Sequence, residues 1–177
     1  MADPALPFEQ DSLSNSDIGD RSGRFNFNLR YRPRNVDGLS MGINGNAMIE
    51  HSNFSLVWGD DSAKIYRAFP GTLTITDSWQ FYLDPYITYF TPSGLRHSLK
   101  SRIYMTNSDN SNSQSTKNET YYLEYAASKE LTRIGQTHVS FGFVTNQSFV
   151  HADCDGLNRS GKSDNRMQNP ASFAQVR

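Results

Sequence analysis

Of the 177 residues only one, Cys154, carries a thiol. That excludes an internal disulfide framework and a cysteine-built zinc site within one chain. Long apolar runs are missing as well. None approaches the roughly 18 residues that a spanning helix needs, and mean hydropathy is −0.64. A helical membrane protein is thereby excluded, but a membrane β-barrel is not, because its strands are only half apolar. No sign of charge dominates, since 17 basic residues stand against 18 acidic ones for a net charge of −1. No global field therefore points to nucleic acid. The opening Met1-Ala2-Asp3-Pro4-Ala5-Leu6-Pro7 has neither the basic nor the apolar region of a secretory signal. Catalytic signatures are missing too: no HExxH, no GxSxG, no phosphate-cradling glycine loop and no spaced carboxylate pair. The histidines, His51, His97, His138 and His151, are scattered over different segments. The sequence thus leads us to expect no enzyme, no metal site and no cofactor.

What the chain has is aromatic side chains, 12% of residues with nine Tyr and eleven Phe. Both types favour strands, and Tyr favours membrane interfaces. The longest pattern runs from Trp79 to Thr106. Its first arm sets Trp79, Phe81, Leu83, Pro85, Ile87 and Tyr89 against Gln80, Tyr82, Asp84, Tyr86, Thr88 and Phe90. Thr91-Pro92-Ser93-Gly94 supplies turn chemistry, Pro presetting φ and Gly accepting φ > 0. The return arm sets Leu95, His97, Leu99, Ser101, Ile103 and Met105 against Arg96, Ser98, Lys100, Arg102, Tyr104 and Thr106. Period-two alternation of this length is a strand pattern with a different environment on each face.

Residues 1–23 carry Pro, Ser, Asp and Gly without periodicity and read as a loop or disordered lead-in. Arg24 to Arg32 reads as a strand, with Phe25, Phe27, Leu29 and Tyr31 on one face. After a short turn at 33–38 the next strand starts at Leu39, and Gly42 and Gly45 within it suggest a bend or a close backbone approach. From Glu50 the apolar phase switches to Phe54, Leu56 and Trp58, which a bulge, or the end of the buried stretch, would explain. Gly59-Asp60-Asp61-Ser62 is a polar loop tip, and an extended run from Ile65 to Thr76 leads into the central hairpin. Thr106 to Asn118 is too polar to pack and reads as a surface loop. Tyr121, Leu123 and Tyr125 resume the alternation, 129–136 forms a compact turn, and Thr137 to Thr145 is the last strand. Beyond His151 the pattern dissolves, so 151–177 reads as an irregular tail.

The expected fold is all-β, an antiparallel up-and-down meander of about six strands in three hairpins over residues 24–150. Short turns on one rim and longer polar links on the other is the layout of an outer-membrane barrel. Alternation alone does not separate that from a soluble sandwich, whose apolar face meets a second sheet. Three details favour the barrel: aromatics near the row ends (Trp79 and Tyr89, Tyr31 and Tyr121), a meander without crossings, and cations confined to the polar rows. Arg96, Lys100 and Arg102 with Tyr82, Tyr86 and Tyr104 form the one notable constellation. Read functionally, it is a basic, aromatic lumen wall that guides an anionic or sugar-like ligand. Read structurally, it is the wetted face of a sheet, held by cross-strand pairs such as Asp84 with an arginine.

Several stretches resemble the middle of the barrel domain of TonB-dependent outer-membrane receptors. They are Phe69-Pro70-Gly71-Thr72-Leu73-Thr74-Ile75-Thr76, Gln80 to Tyr86, Gly94 to Arg102, Tyr121 to Tyr125 and the opening Phe25 to Tyr31. The resemblance covers about residues 20–150 and lies in strands and spacings, not in a catalytic signature. It implies an importer in the outer membrane that takes up a metal chelate, cobalamin or glycan. Its partners would be outer-membrane lipid and an inner-membrane energy-coupling protein acting through a plug domain, with no role for nucleic acid. Neither plug nor coupling segment is found here, and barrels of this type need 22 strands. The chain therefore reads as an internal fragment of a longer precursor, expected to aggregate in water. The alternative expectation is a soluble β-sandwich carbohydrate-binding module using exposed Tyr and Trp for stacking. The two differ in where Phe25, Phe27, Phe81, Leu83 and Ile87 point.

Overall fold

The computed structural model describes residues 19–55, 57, 68, 71–132, 135, 137–156 and 159–177. Seven antiparallel strands form one sheet in sequence order: β1 (Arg21–Tyr31), β2 (Leu39–Ser55), β3 (Leu73–Phe90), β4 (Arg96–Asn110), β5 (Gln114–Leu131), β6 (Thr137–Gly156) and β7 (Arg159–Val176). Every connection joins neighbours, as in an up-and-down meander, and among the described residues β1 and β7 are the outermost strands and the sheet does not close. The expected loop tip at 59–62, the switched Leu56 and Trp58, most of the lead-in, and residues 65–67, 69 and 70 of the 65–76 run lie outside the described residues.

Side-chain alternation combined with the register sorts the sheet into rows. Leu29, Ile43, Leu123 and Thr145 share a row, and Tyr31, Met41, Ile87, Leu99, Tyr125 and Phe143 share the next. Leu39, Tyr89, His97, Ala127 and Phe141 bound this face on the short-turn side. Phe25, Ala47, Phe81, Met105 and Phe149 bound it on the other, where Glu119 joins them. The band runs from Phe81 to Tyr89 on β3, which is about 27 Å along the strand and about 21 Å in depth at a 40° tilt. Its residues are open to the surroundings: Phe25 is 64% exposed, Leu29 62%, Phe141 52% and Ile87 42%. Among the described residues the only buried hydrophobic side chains are Ala68 and Ala127, and no large side chain is fully buried. Among the described residues the sheet is a single layer with no second sheet against its apolar face.

Three expectations need correction. The strands among the described residues number seven where about six were expected, because the tail beyond His151 completes β6 to Gly156 and then forms β7. Residues 159–176 were illegible because β7 puts Ala174, Ser172, Pro170 and Gln168 on the apolar face while Phe173 and Met167 point the other way. Its hold comes from the backbone ladder, which runs to a reciprocal pair between His138 and Arg177 at 2.8 and 3.0 Å. Second, the polar tract 106–118 is not a loop. β4 and β5 pair through it and turn only at 111–113, with Ser113 at φ 61. Beyond the band both faces are polar, so alternation vanishes while side-chain bonds such as Thr76 Oγ1 to Asn110 Oδ1 (2.6 Å) tie the strands. Third, β2 has no bulge at Glu50, since its register with β3 is unbroken from Leu39 to Ser55.

The turn chemistry is as the sequence indicates. Gly94 sits at φ 79 and its N–H donates to the Thr91 carbonyl at 3.0 Å. The glycines of β2 do mark close approach. The ring of Phe27 lies over Gly45 and the Tyr86 hydroxyl over Gly42, each from the directly opposite residue. An aromatic covering a strand glycine restores the contact its missing side chain loses.

Candidate functional site

The polar face carries the site. Residues Arg96, Lys100, Arg102 and Tyr104 of β4 alternate with the apolar row of the same strand, and β3 brings Tyr82 and Tyr86 alongside. The register puts Tyr82 opposite Tyr104 and Tyr86 opposite Lys100, and Arg96 meets Phe90. All six residues named from the sequence thus lie on one face. The three cations are exposed and the three tyrosines half-buried.

Local pairings fix much of this surface. Arg102 grips Asp84 bidentately, Nε to Oδ1 at 2.7 Å and Nη2 to Oδ2 at 2.6 Å. Its guanidinium also lies 5.4 Å from the centre of the Tyr82 ring. The expected cross-strand Asp84–arginine pair is therefore formed with Arg102. Lys100 reaches Glu124 at 3.4 Å, and the same carboxylate accepts from the Tyr122 hydroxyl. Arg96 stacks over Phe90 at 5.8 Å. An exposed pair of this kind contributes little stability, ordinarily under about 1 kcal/mol. What it does supply is a planar, oriented donor surface beside an aromatic ring.

Sequence reading missed the acceptor side. Asn44, Asp84, Arg102, Tyr122 and Asn146 occupy one row across five strands. Together with Tyr86 and Lys100 they line an open concavity of about 570 Å³. The amide oxygens of Asn44 and Asn146 are buried in it without a hydrogen-bond partner. Such groups require a donor, from water or ligand, to offset their desolvation. The residues are far apart in sequence, so only the register reveals them. The concavity offers cationic donors, amides and aromatic faces, which is chemistry for binding polar ligands such as hydroxyl-rich or anionic molecules.

The histidines are used separately. His51 bonds Asp77 at 2.7 Å, and His97 bonds the Tyr125 hydroxyl at 2.7 Å on the apolar face. His151 bonds Asp164 beyond the band. Of the expected girdle, Trp79 stands past one edge of the band and Tyr89 and Tyr31 near the other, but Tyr121 lies inside the band, bonded to Glu119. Comparison with family models, with curated proteins and with solved structures finds no match for this chain.

Proposed function

We propose that this chain is a wall segment of an outer-membrane β-barrel that takes up a small polar ligand, of the kind found in TonB-dependent receptors. The observation carrying this reading is the exposed, continuous apolar band on one face of a single sheet, backed by an ion-paired polar face. In a soluble protein so large an apolar surface is rarely left open, and no second layer covers it among the described residues. Its depth of about 21 Å is close to the roughly 25 Å apolar band of outer-membrane barrels. Arg102, Lys100 and Arg96 then face a lumen, where Tyr82, Tyr86 and Tyr104 offer stacking surfaces to a glycan or chelate. A metal chelate or cobalamin would be the ligand, not a cofactor of the wall. Barrel lipid would be the partner of the apolar face, and an inner-membrane energy-coupling protein the partner of the complete receptor.

The test is refolding with and without an amphiphile. Strand circular dichroism that develops in detergent micelles, with aggregation in plain buffer, is the expected result. A cooperative, monomeric β-fold in buffer alone would overturn the membrane reading and favour a soluble glycan-binding module.

A further inference from the structure

At the short-turn end of the polar face, arginines gather without acids to match them. Arg30 is the last polar-face residue of β1, and Pro33 restricts Arg32 before it to extended backbone, so Arg32 keeps the face of Arg30. Arg34 follows in the turn. Gly38, at φ 79, draws that turn onto β3: its carbonyl accepts the Phe90 N–H at 3.0 Å, and a Cβ there would strike the Phe90 carbonyl oxygen. Arg96, the register partner of Phe90, closes the far side from β4. The four arginines, all exposed, border an open bowl of about 730 Å³ whose hydroxyls come from Ser40, Thr88 and Tyr86. The Tyr86 hydroxyl reaches across the floor because Gly42 beneath it has no side chain. Asp37 is the one acid in the lining. Among the described residues no carboxylate lies within ion-pair distance of any of the four arginines. Higher on the same face the balance is different, since Arg102 has Asp84 and Lys100 has Glu124.

We propose that this bowl is a binding site for a soluble molecule carrying several phosphate groups, held by Arg30, Arg32, Arg34 and Arg96. Like charges around one concavity repel one another and focus their field into it, so an anion is the partner that relieves them. Two of the guanidiniums are already placed. Arg30 Nε donates to the Ser40 hydroxyl at 3.1 Å, which leaves its Nη groups for a ligand, and the Arg96 guanidinium is seated 5.8 Å from the centre of the Phe90 ring. Donors come from β1, from the turn and from β4, with hydroxyls below. That arrangement suits the three terminal oxygens of a phosphate better than the flat edge of a carboxylate. Charge and size both ask for more than one phosphate. Four cations against one acid leave an excess that a single inorganic phosphate does not neutralise, and the bowl far exceeds the roughly 30 Å³ share of a water molecule. The bowl opens on the polar face, opposite the apolar band, so a bilayer lying against that band does not present its headgroups there. The ligand is therefore soluble. Residues of β1 to β4 and one turn build the whole site, so it does not depend on what covers the apolar face.

The test is calorimetric titration of the full chain with tripolyphosphate, in nonionic micelles or in buffer, whichever medium the chain folds in. One tripolyphosphate per chain is expected, bound at least about tenfold tighter than inorganic phosphate and weakening steeply with salt. Arg32→Gln and Arg96→Gln should each lower the affinity about tenfold. Arg24→Gln removes the same charge from the other end of β1, where Arg24 Nη2 meets Met48 Sδ, and should change it less than about twofold. Asp37→Asn removes the one acid and should tighten binding by about two- to fivefold, a gain that misfolding does not produce. Circular dichroism checks that each variant keeps its strands. No binding by the wild-type chain, equal affinity for phosphate and tripolyphosphate, or equal losses in Arg24→Gln, Arg32→Gln and Arg96→Gln overturns the proposal. So does binding that appears only when a phosphate-bearing lipid is added to the micelles. A cooperative fold in plain buffer that binds tripolyphosphate would overturn the barrel-wall reading and leave this site standing; strands in micelles with no binding would do the reverse.

Discussion

Replacing Leu123 by lysine puts a charge in the middle of the apolar band. Leu123 is 41% exposed and shares its row with Leu29 and Ile43. Trp79, 39% exposed, lies three rows away. Three rows are six residues, about 20 Å along a strand and about 15 Å in depth at a 40° tilt. That distance is half of a roughly 30 Å hydrocarbon core, so Trp79 reaches the interface when Leu123 lies near the midplane. A lysine at the midplane of a barrel wall costs about 2–4 kcal/mol, and one at the interface about 0–1 kcal/mol. Leu123→Lys should therefore lower the folding equilibrium constant in lipid vesicles by roughly 30- to 900-fold. Trp79→Lys should cost its lost packing and little for charge. On a sheet bathed in water both exposed sites would accept lysine within about 0.5 kcal/mol of electrostatic cost. The assay is denaturant unfolding in vesicles, with Leu123→Gln and Trp79→Gln as references that cancel the packing loss. Equal lysine-over-glutamine penalties at the two depths would refute the assignment of the band to lipid.

Gly45→Ala forces the Phe27 ring off its seat, since an added methyl would collide with ring carbons. A loss of about 1–3 kcal/mol is expected in the same unfolding assay. Asp84→Ala combined with Arg102→Ala in a double-mutant cycle should give a coupling of about 1 kcal/mol or less, because Arg102 is exposed; the singles should weaken ligand capture more than they weaken the sheet. His151, beyond the band, is held above the ordinary histidine range by its bond to Asp164. Protonation therefore favours the folded state: this contribution is full below the unfolded value near 6.5 and is lost as pH rises through the folded value. Proton NMR titration should show His151 titrating higher than a free imidazole, and Asp164→Asn should bring it down.

The fold was legible wherever polarity differs between the two sides of a strand. Phe25 to Tyr31, Met41 to Ile49 and Trp79 to Tyr89 lie in the band, where one face is apolar and the other polar, and the alternation there gives both strand and face. It fails where the environment is the same on both sides. Past Thr106 and before Asn118 both faces are polar, so strands built from Asn, Ser and Thr look like loop. β7 fails for another reason: an edge strand is held on one side only and tolerates Gly161, Pro170 and a reversed apolar phase at Phe173. The site shows the same division. The cations and tyrosines of β3 and β4 could be named because they are local to one hairpin. Asn44 and Asn146 could not, since nothing local marks an amide that register places beside Arg102.

Register, in turn, gives the alternation its meaning. A polar row in one strand can be any wetted surface. Set side by side, Asp84 pairs with Arg102 and Glu124 with Lys100 and Tyr122, so the cations are not a bare positive stripe that would hold any anion indiscriminately. A ligand must displace or share these pairs, which favours molecules presenting several polar groups at once over a simple inorganic anion. The unmet oxygens of Asn44 and Asn146 sharpen this further, because they ask for donors while Arg96 and the exposed edge of Lys100 ask for acceptors. Hydroxyl-rich ligands meet both demands with the same groups, so if this face is the lumen wall proposed above, a sugar-like or chelate ligand would fit it better than phosphate or sulfate alone.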